Sequence, residues 1–434
     1  MISEYFFFVY ICFSVLVCAV YFSIVRNKWM LLFAPPLHLL AFDTVFYFLH
    51  IESERTLISI FFFSFLITMS GLVGSFYEAS RLNSINNSLA WDPTSLLKRK
   101  TVETAPVDSG RSWDRAYLIL GGVGVMLFYY ILSSADVSIL TLMTNKAEFA
   151  RFYSGSRRGG AWMLLLVNSL AFGQIYIFFK SKKNWHGLGC ILFMVILSMQ
   201  GGRGILMSYI MMLLMIKMWH TGSGRAIPAM VSVAALVFVL ASFLRTGNLD
   251  EYVNSRSVFY DFNLAHVYEE CRAYVDENGT EWGLFTSDVV LYIPRAFWPD
   301  KPMSTAETLL IYPDVALSGT SYTFGLYGNS LLHMNHLGIV IICLFYAGLG
   351  VAFIRFDTKE ISAGGAFIFI TFLSMELLWL RGGMFAVRAA TVAGTSLIGW
   401  KAAEFFSRTA VQRTFIPVKS TDGRESEESR RRAA

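Results

Sequence analysis

Apolar runs of about 20 residues recur along the whole of this chain, and no other feature limits its fold so tightly. At about 1.5 Å of rise per residue, one such run crosses a hydrocarbon core of roughly 30 Å. Lipid offers no hydrogen-bond partners to a bare backbone, and the runs lack the short alternating pattern of a transmembrane barrel, so they are expected to be helices. Composition agrees: 55% of the residues are hydrophobic, 16% aromatic and only 15% charged, well below the roughly 25% charge of soluble domains. The sequence predicts an all-α polytopic membrane protein of about 11 (10–12) transmembrane helices, with one integral membrane domain over 1–407 and a basic tail over 408–434.

The spans read at 5–25, 30–49, 57–77, 116–135, 161–180, 187–200, 205–219, 227–244, 337–354, 363–380 and 386–406. An odd number places the termini on opposite sides. The tail that ends in Arg430-Arg431-Arg432 is basic enough to stay in the cytoplasm, which leaves the N-terminus periplasmic. With that orientation Arg26-Asn27-Lys28, Lys98-Arg99-Lys100 and Lys180-Ser181-Lys182-Lys183 all fall inside, as the positive-inside rule requires. No basic segment precedes the first span and no small-residue cleavage site clearly follows it, so it reads as retained rather than as a signal peptide.

Several function classes lose ground here. No Walker motif and no GxGxxG-plus-strand unit appears, against an ATP-driven pump, and no internal repeat is visible, against a transporter built from two matching halves. The five cysteines, at 12, 18, 190, 271 and 343, form neither a metal spacing nor an obvious disulfide framework. The net charge of +5 mostly reflects cytoplasmic anchoring, and no nucleic-acid partner is expected.

Two loops interrupt the spans. Residues 78–115 are rich in Ser, Asn, Asp and Lys, show no apolar period, and read as a flexible cytoplasmic connector. Residues 246–336 form a long external loop, far beyond a simple connection. Within it the stretch from Val258 to Tyr268 suits a short helix lying along the membrane surface.

Twelve Asp and Glu in that loop outnumber four Arg and Lys, at 256, 272, 295 and 301, so each cation needs its own explanation. Arg295 and Lys301 sit in YIPRAFWPDKP, where Pro294, Pro299 and Pro302 each restrict φ to about −65° and hold the strip in a defined path. Pairing with loop carboxylates is the plain alternative. A rigid strip bearing a guanidinium also suits an anionic ligand, which the guanidinium can grip with forked hydrogen bonds. Other outward cations fit the same ligand: Arg203 in a Gly-Gly-Arg-Gly turn, Arg151 and Arg158 in an earlier outer loop, and Arg381 and Arg388 near helix ends. Tight-turn and lipid-snorkelling roles remain open for these residues.

The outward Gly-Gly-Arg-Gly turn, the external loop carrying Pro294-Arg295 and Trp298-Pro299-Asp300-Lys301-Pro302, and Thr323 to Asn329 ahead of a span entry containing His and Gly come in this order. That succession resembles the Wzy-type O-antigen and oligosaccharide repeat-unit polymerases. The resemblance covers the layout from about 116 to 406, with its specific motifs in about forty residues. It implies a GT-C-type glycosyltransferase on the periplasmic face of the bacterial inner membrane. Its substrate would be undecaprenyl-diphosphate-linked oligosaccharide among membrane lipids, with a chain-length regulator and a flippase as partners and with neither cofactor nor metal.

On that reading Arg295, Lys301, Arg203, Arg381, Arg388, Arg151 and Arg158 would bind the substrate diphosphate. Asp261, His266, Glu270, His333 and His336 are candidates for the base or orienting group, and Trp298, Tyr322 and Tyr327 for faces that stack on sugar rings. An O-antigen ligase, which passes the same donor to lipid A core, and a lipid-linked oligosaccharide flippase are the alternatives.

Overall fold

The computed structural model of the chain describes residues 2–46, 53–89, 110–134, 160–191, 203–221, 264–280, 325–376, 380 and 385–414, with positions 138, 228, 232, 298 and 300. Among these residues the structure is helical throughout, with no strand. The helices are α1 (Ile2–Ile24), a 3-10 turn (Lys28–Phe33), α2 (Pro35–Phe46), α3 (Glu54–Leu89), α4 (Gly110–Ser134), α5 (Gly160–Ser181), α6 (Arg203–Thr221), α7 (Leu264–Asn278), α8 (Gly325–Met334), α9 (His336–Asp357), α10 (Ala363–Ser374) and α11 (Phe385–Thr414). A further helical segment covers 184–191.

Among the described residues four helices are long and apolar enough to cross a membrane: Tyr5–Ile24, Glu54–Ser84, Ser112–Ser133 and His336–Asp357. Leu165–Ser181 and Ala363–Ser374 are apolar but shorter. Each long helix buries one stripe and exposes another. In α1, Tyr10, Val17 and Tyr21 are buried while Phe8, Val15, Leu16 and Phe22 are exposed. Lipid is the solvent that makes such an exposed stripe favourable.

The structure departs from the sequence expectations at several spans. The expected span 30–49 is a 3-10 turn followed by the 12-residue α2, because Pro35 and Pro36 supply no amide hydrogens and suit only a helix start. The expected connector 78–115 is helical over its first turns, since α3 runs on to Leu89, and α4 already begins at Gly110. The expected span 363–380 is interrupted after Ser374. The span 227–244 lies outside the described residues apart from 228 and 232.

Small residues set the closest helix pair, in which α3 and α9 run parallel. A Cβ on Gly74 would lie 2.1 Å from the Ala347 carbonyl oxygen, and one on Gly350 2.2 Å from that of Gly71. In lipid, where apolar burial between helices brings little, such backbone contact is a main source of association.

Polar contacts then define the two ends of the bundle. At one end the Asp357 carboxylate, closing α9, accepts from the amides of Arg26 at 2.6 Å and Asn27 at 3.1 Å, just past α1. Glu78 of α3 meets Arg355 there, Trp219 of α6 stacks on Phe356 with ring centroids 4.3 Å apart, and Phe179 of α5 packs on His220. Tyr176 of α5 reaches Glu404 of α11, and Asp114 of α4 meets Lys183 just past α5. This end gathers Arg26, Lys28, Arg81, Lys180, Lys182, Lys183, Lys217, Arg355, Lys359, Lys401 and Arg408. It is the cation-rich end, and it brings together two of the segments that the charge pattern grouped, Arg26-Asn27-Lys28 and Lys180-Ser181-Lys182-Lys183; Lys98-Arg99-Lys100 lies outside the described residues.

Candidate functional site

The opposite end holds the starts of α3, α6, α9 and α11 together with α7 and α8. The α7 helix is amphipathic: Leu264, Ala265, Val267, Tyr268, Cys271 and Val275 are buried, while Asp276, Glu277 and Asn278 face out. Gly279, at φ +77°, closes it by donating its amide to the Val275 carbonyl at 2.8 Å, a left-handed cap that glycine adopts without strain. Arg272 ties α7 to the start of α3 through Ser59 at 3.3 Å and pairs with Asp276 at 3.9 Å. The stretch 258–268 expected to form a surface helix is described from Leu264 on, where it belongs to the helix Leu264–Asn278; 258–263 lie outside the described residues.

Beneath α7 lies α8, whose residues from Gly325 to His333 are all buried. Tyr327, 1% exposed, donates its hydroxyl to Asp43 Oδ2 at 2.8 Å. Asp43 belongs to α2 and is fully buried; its Oδ1 has no hydrogen bond of normal geometry within the described residues. The Ser64 hydroxyl, on α3, lies close to the same carboxyl group.

A second buried carboxylate lies nearby. Glu376, just past α10, takes the Tyr346 hydroxyl of α9 on Oε1 at 2.8 Å and meets His38 Nδ1 of α2 through Oε2 at 2.8 Å. Unpaired, either carboxylate would cost several kcal/mol in such surroundings (about 2.5–3.5 kcal/mol for Asp at a membrane centre on insertion scales). Both are held instead by side chains drawn from other helices.

His333 occupies the last turn of α8, 1% exposed, with Nδ1 2.9 Å from the Asn329 carbonyl oxygen. A carbonyl oxygen can only accept, so Nδ1 carries the hydrogen and in the neutral ring Nε2 is the basic nitrogen. His336, three residues on, is exposed, its ring 6.4 Å from that of Phe63. Between them Asn335 adopts φ +50° and marks the break from α8 to α9.

Of the residues singled out in the sequence, His333 and Tyr327 are thus in the buried layer, His336 is at its edge, Glu270 is half-buried on α7, and Trp298 is 42% exposed. Arg203 is the first residue of α6 and Arg388 lies in the first turn of α11, both at this end of the bundle; His266 lies in the first turn of α7. Of these three the structure describes the backbone alone. Arg151, Arg158, Asp261, Arg295, Lys301, Tyr322 and Arg381 lie outside the described residues. Tyr327, expected to offer a face to a sugar ring, is enclosed here and spends its hydroxyl on Asp43.

The sequence reading passed over Asp43, His38 and Glu376. A signal for them exists, because all three stand inside apolar segments, where an ionisable residue is itself a mark of function. Among the described residues no group of three or more His, Cys, Asp or Glu is placed to hold a metal ion. Against protein-family models, curated proteins and solved structures, the chain shows no match.

Proposed function

We propose that this chain is an inner-membrane glycosyltransferase that polymerises undecaprenyl-diphosphate-linked oligosaccharide repeat units into O-antigen or a related surface polysaccharide. The observation that carries the reading is the gathering of α7, α8 and the arginine-bearing starts of α6 and α11 at the end of the bundle away from the cation-rich end. If the cation-rich end faces the cytoplasm, those elements and the 246–336 loop face the periplasm, where the lipid-linked donor is presented. About eleven spans, an N-terminus outside, a C-terminus inside and a GT-C-type arrangement belong to the same proposal.

In this reading the acceptor hydroxyl oxygen attacks the anomeric carbon of the donor. The new carbon–oxygen bond forms as the bond to the diphosphate breaks, and the electron pair leaves with the phosphate oxygen. Arg295, with Lys301, Arg203, Arg381, Arg388, Arg151 and Arg158 as further contacts, stabilises the charge that develops there. The hydroxyl proton passes to a base drawn from Asp261, His266, Glu270, His333 and His336. His333 is the member of that set fixed in the buried layer, with Nδ1 2.9 Å from the Asn329 carbonyl oxygen. Trp298 and Tyr322 are the aromatic faces proposed for the glycan, and neither cofactor nor metal is invoked.

The test uses purified protein in proteoliposomes with lipid-linked repeat units. Arg295→Ala is expected to abolish polymer at unchanged protein abundance, and Arg295→Lys to restore only part of the rate. One or two charge-assisted hydrogen bonds of about 1.5–3 kcal/mol each correspond to a loss of roughly ten- to several-thousand-fold. Wild-type polymerisation by Arg295→Ala would remove the residue from the site. Transfer to lipid A core with no chain growth would assign the ligase reaction instead. The His38–Glu376–Tyr346 group, half-buried at the histidine and buried at the other two, is the observation that favours the flippase reading, since ionisable clusters inside membranes also serve proton-coupled transport. Proton-dependent flipping abolished by Glu376→Gln, without polymer synthesis by the wild type, would establish that reading.

A further inference from the structure

Helix α3 carries a shallow, open groove on its outer side near the cation-rich end, lined by Val73, Phe76, Tyr77, Ser80, Arg81 and Ser84. These residues grade from apolar to polar along the helix. Val73, Phe76 and Tyr77 are 65%, 44% and 66% exposed; Ser80 and Ser84 present hydroxyls, and Arg81 a guanidinium, one to two turns further on. An apolar strip that ends in an aromatic hydroxyl, two alcohols and a cation matches the profile of a phospholipid at the membrane boundary.

The charge arrangement selects the headgroup. Arg81 bonds Glu78 through Nε at 2.9 Å and Nη2 at 2.5 Å, and Arg355 reaches the same carboxylate through Nε at 2.8 Å. Two guanidinium groups share one carboxylate. Of the five N–H donors of Arg81 these contacts use two, so three remain for an oxygen-rich ligand. Glu360 lies close enough to interact electrostatically with Arg81. Even with Glu360 and Asp357 counted, the neighbouring Arg26, Lys28 and Lys359 leave this end of the bundle net positive.

We propose that the groove is a specific site for one anionic phospholipid of the leaflet at the cation-rich end. Its phosphate sits on Arg81 with the Ser80 and Ser84 hydroxyls, and an acyl chain runs along Val73, Phe76 and Tyr77. This proposal stands apart from the glycosyltransferase reading and holds or fails independently of it.

The test reconstitutes the full chain in nanodiscs of equal phosphatidylglycerol and phosphatidylcholine, then counts retained lipids by native mass spectrometry after mild delipidation. The wild type is expected to retain phosphatidylglycerol over phosphatidylcholine by about fivefold, the effect of one basic residue at a membrane surface. Arg81→Gln should bring the ratio close to parity. Glu78→Gln should raise it, because removing the shared carboxylate charge frees both guanidinium groups; a merely structural role for the cluster would lower it or leave it unmoved. Parity in the wild type, an unchanged ratio in Arg81→Gln or a fall in Glu78→Gln would overturn the proposal. Should Arg81→Gln fail to fold, the wild-type ratio and the direction of the Glu78→Gln change decide alone.

Discussion

Glu78 and Glu376 are both fully buried glutamates of one helical bundle, yet their surroundings are of opposite kinds. Glu78, at the cation-rich end, lies between two arginines whose side chains are 39% and 43% exposed. Glu376, deep among apolar helices, is held by a tyrosine hydroxyl and a histidine. Near the polar phase a carboxylate can be matched by cations that keep their own hydration. In the interior a second permanent charge would add its own desolvation cost, so donors that can be neutral are the economical partners. Asp43, held by Tyr327, repeats the interior pattern.

The sharpest way to break this contrast is Glu376→Ala. It strands His38 and Tyr346 together, and an expected loss of about 3–5 kcal/mol should appear as protein missing from the membrane fraction. Glu376→Gln keeps an acceptor for Tyr346 and a donor for the histidine ring, so it should restore most of the abundance. Equal abundance for wild type and Glu376→Ala would show that the interior group is not a structural anchor.

Tyr327→Phe should have the next largest effect. It removes the hydroxyl that donates to the Asp43 carboxylate, at a cost on the order of 1–3 kcal/mol. Asp43→Asn measured alone and with Tyr327→Phe, by thermal unfolding in detergent, should give a non-additive pair; additivity would show that the two groups are uncoupled.

Glu78→Gln should cost less than either substitution, and its effect on melting temperature should shrink further in high salt, because its partners are open to solvent and screening. A salt-independent loss as large as that of Glu376→Ala would erase the distinction between the two regions.

The smallest effect concerns pH at the cation-rich end. His186 is fully buried, stacked on Tyr117 with ring centroids 4.5 Å apart, with Ser181 Oγ 2.5 Å from Nδ1 and Asp114 Oδ1 3.1 Å from Nε2. Burial holds its pKa below the ordinary histidine value, against a smaller opposing pull from Asp114. The unfolded ring binds its proton more readily, so this contribution to stability is present above the ordinary histidine range and is lost as pH falls through it. Melting temperature should drop between pH 7.5 and 5.5, and His186→Gln should flatten that drop. An unchanged pH slope would exclude His186 as its source.

Much of this architecture was legible in the residues alone. Apolar runs announce helices because lipid leaves the backbone no alternative, and the clusters around Arg26-Asn27-Lys28 and Lys180-Ser181-Lys182-Lys183 meet at one end as the charge pattern implied. The amphipathic α7 overlaps the stretch 258–268 that reads as a helix and runs on to Asn278. The continuation of α3 to Leu89 was not foreseen, because its polar last turns carry no apolar period to read.

What the sequence by itself determined is therefore the helical class, the charge skew between the two ends and the presence of polar residues in apolar surroundings. Only the tertiary structure decided which of those residues meet. His38 and Glu376 are 338 positions apart, Asp43 and Tyr327 are 284 apart, and Arg26 and Asp357 are 331 apart. Periodicity is a local property, repeating within a turn or two of helix. The choice of partner across a bundle depends on helix order and depth, which the close glycine contacts between α3 and α9 help to set.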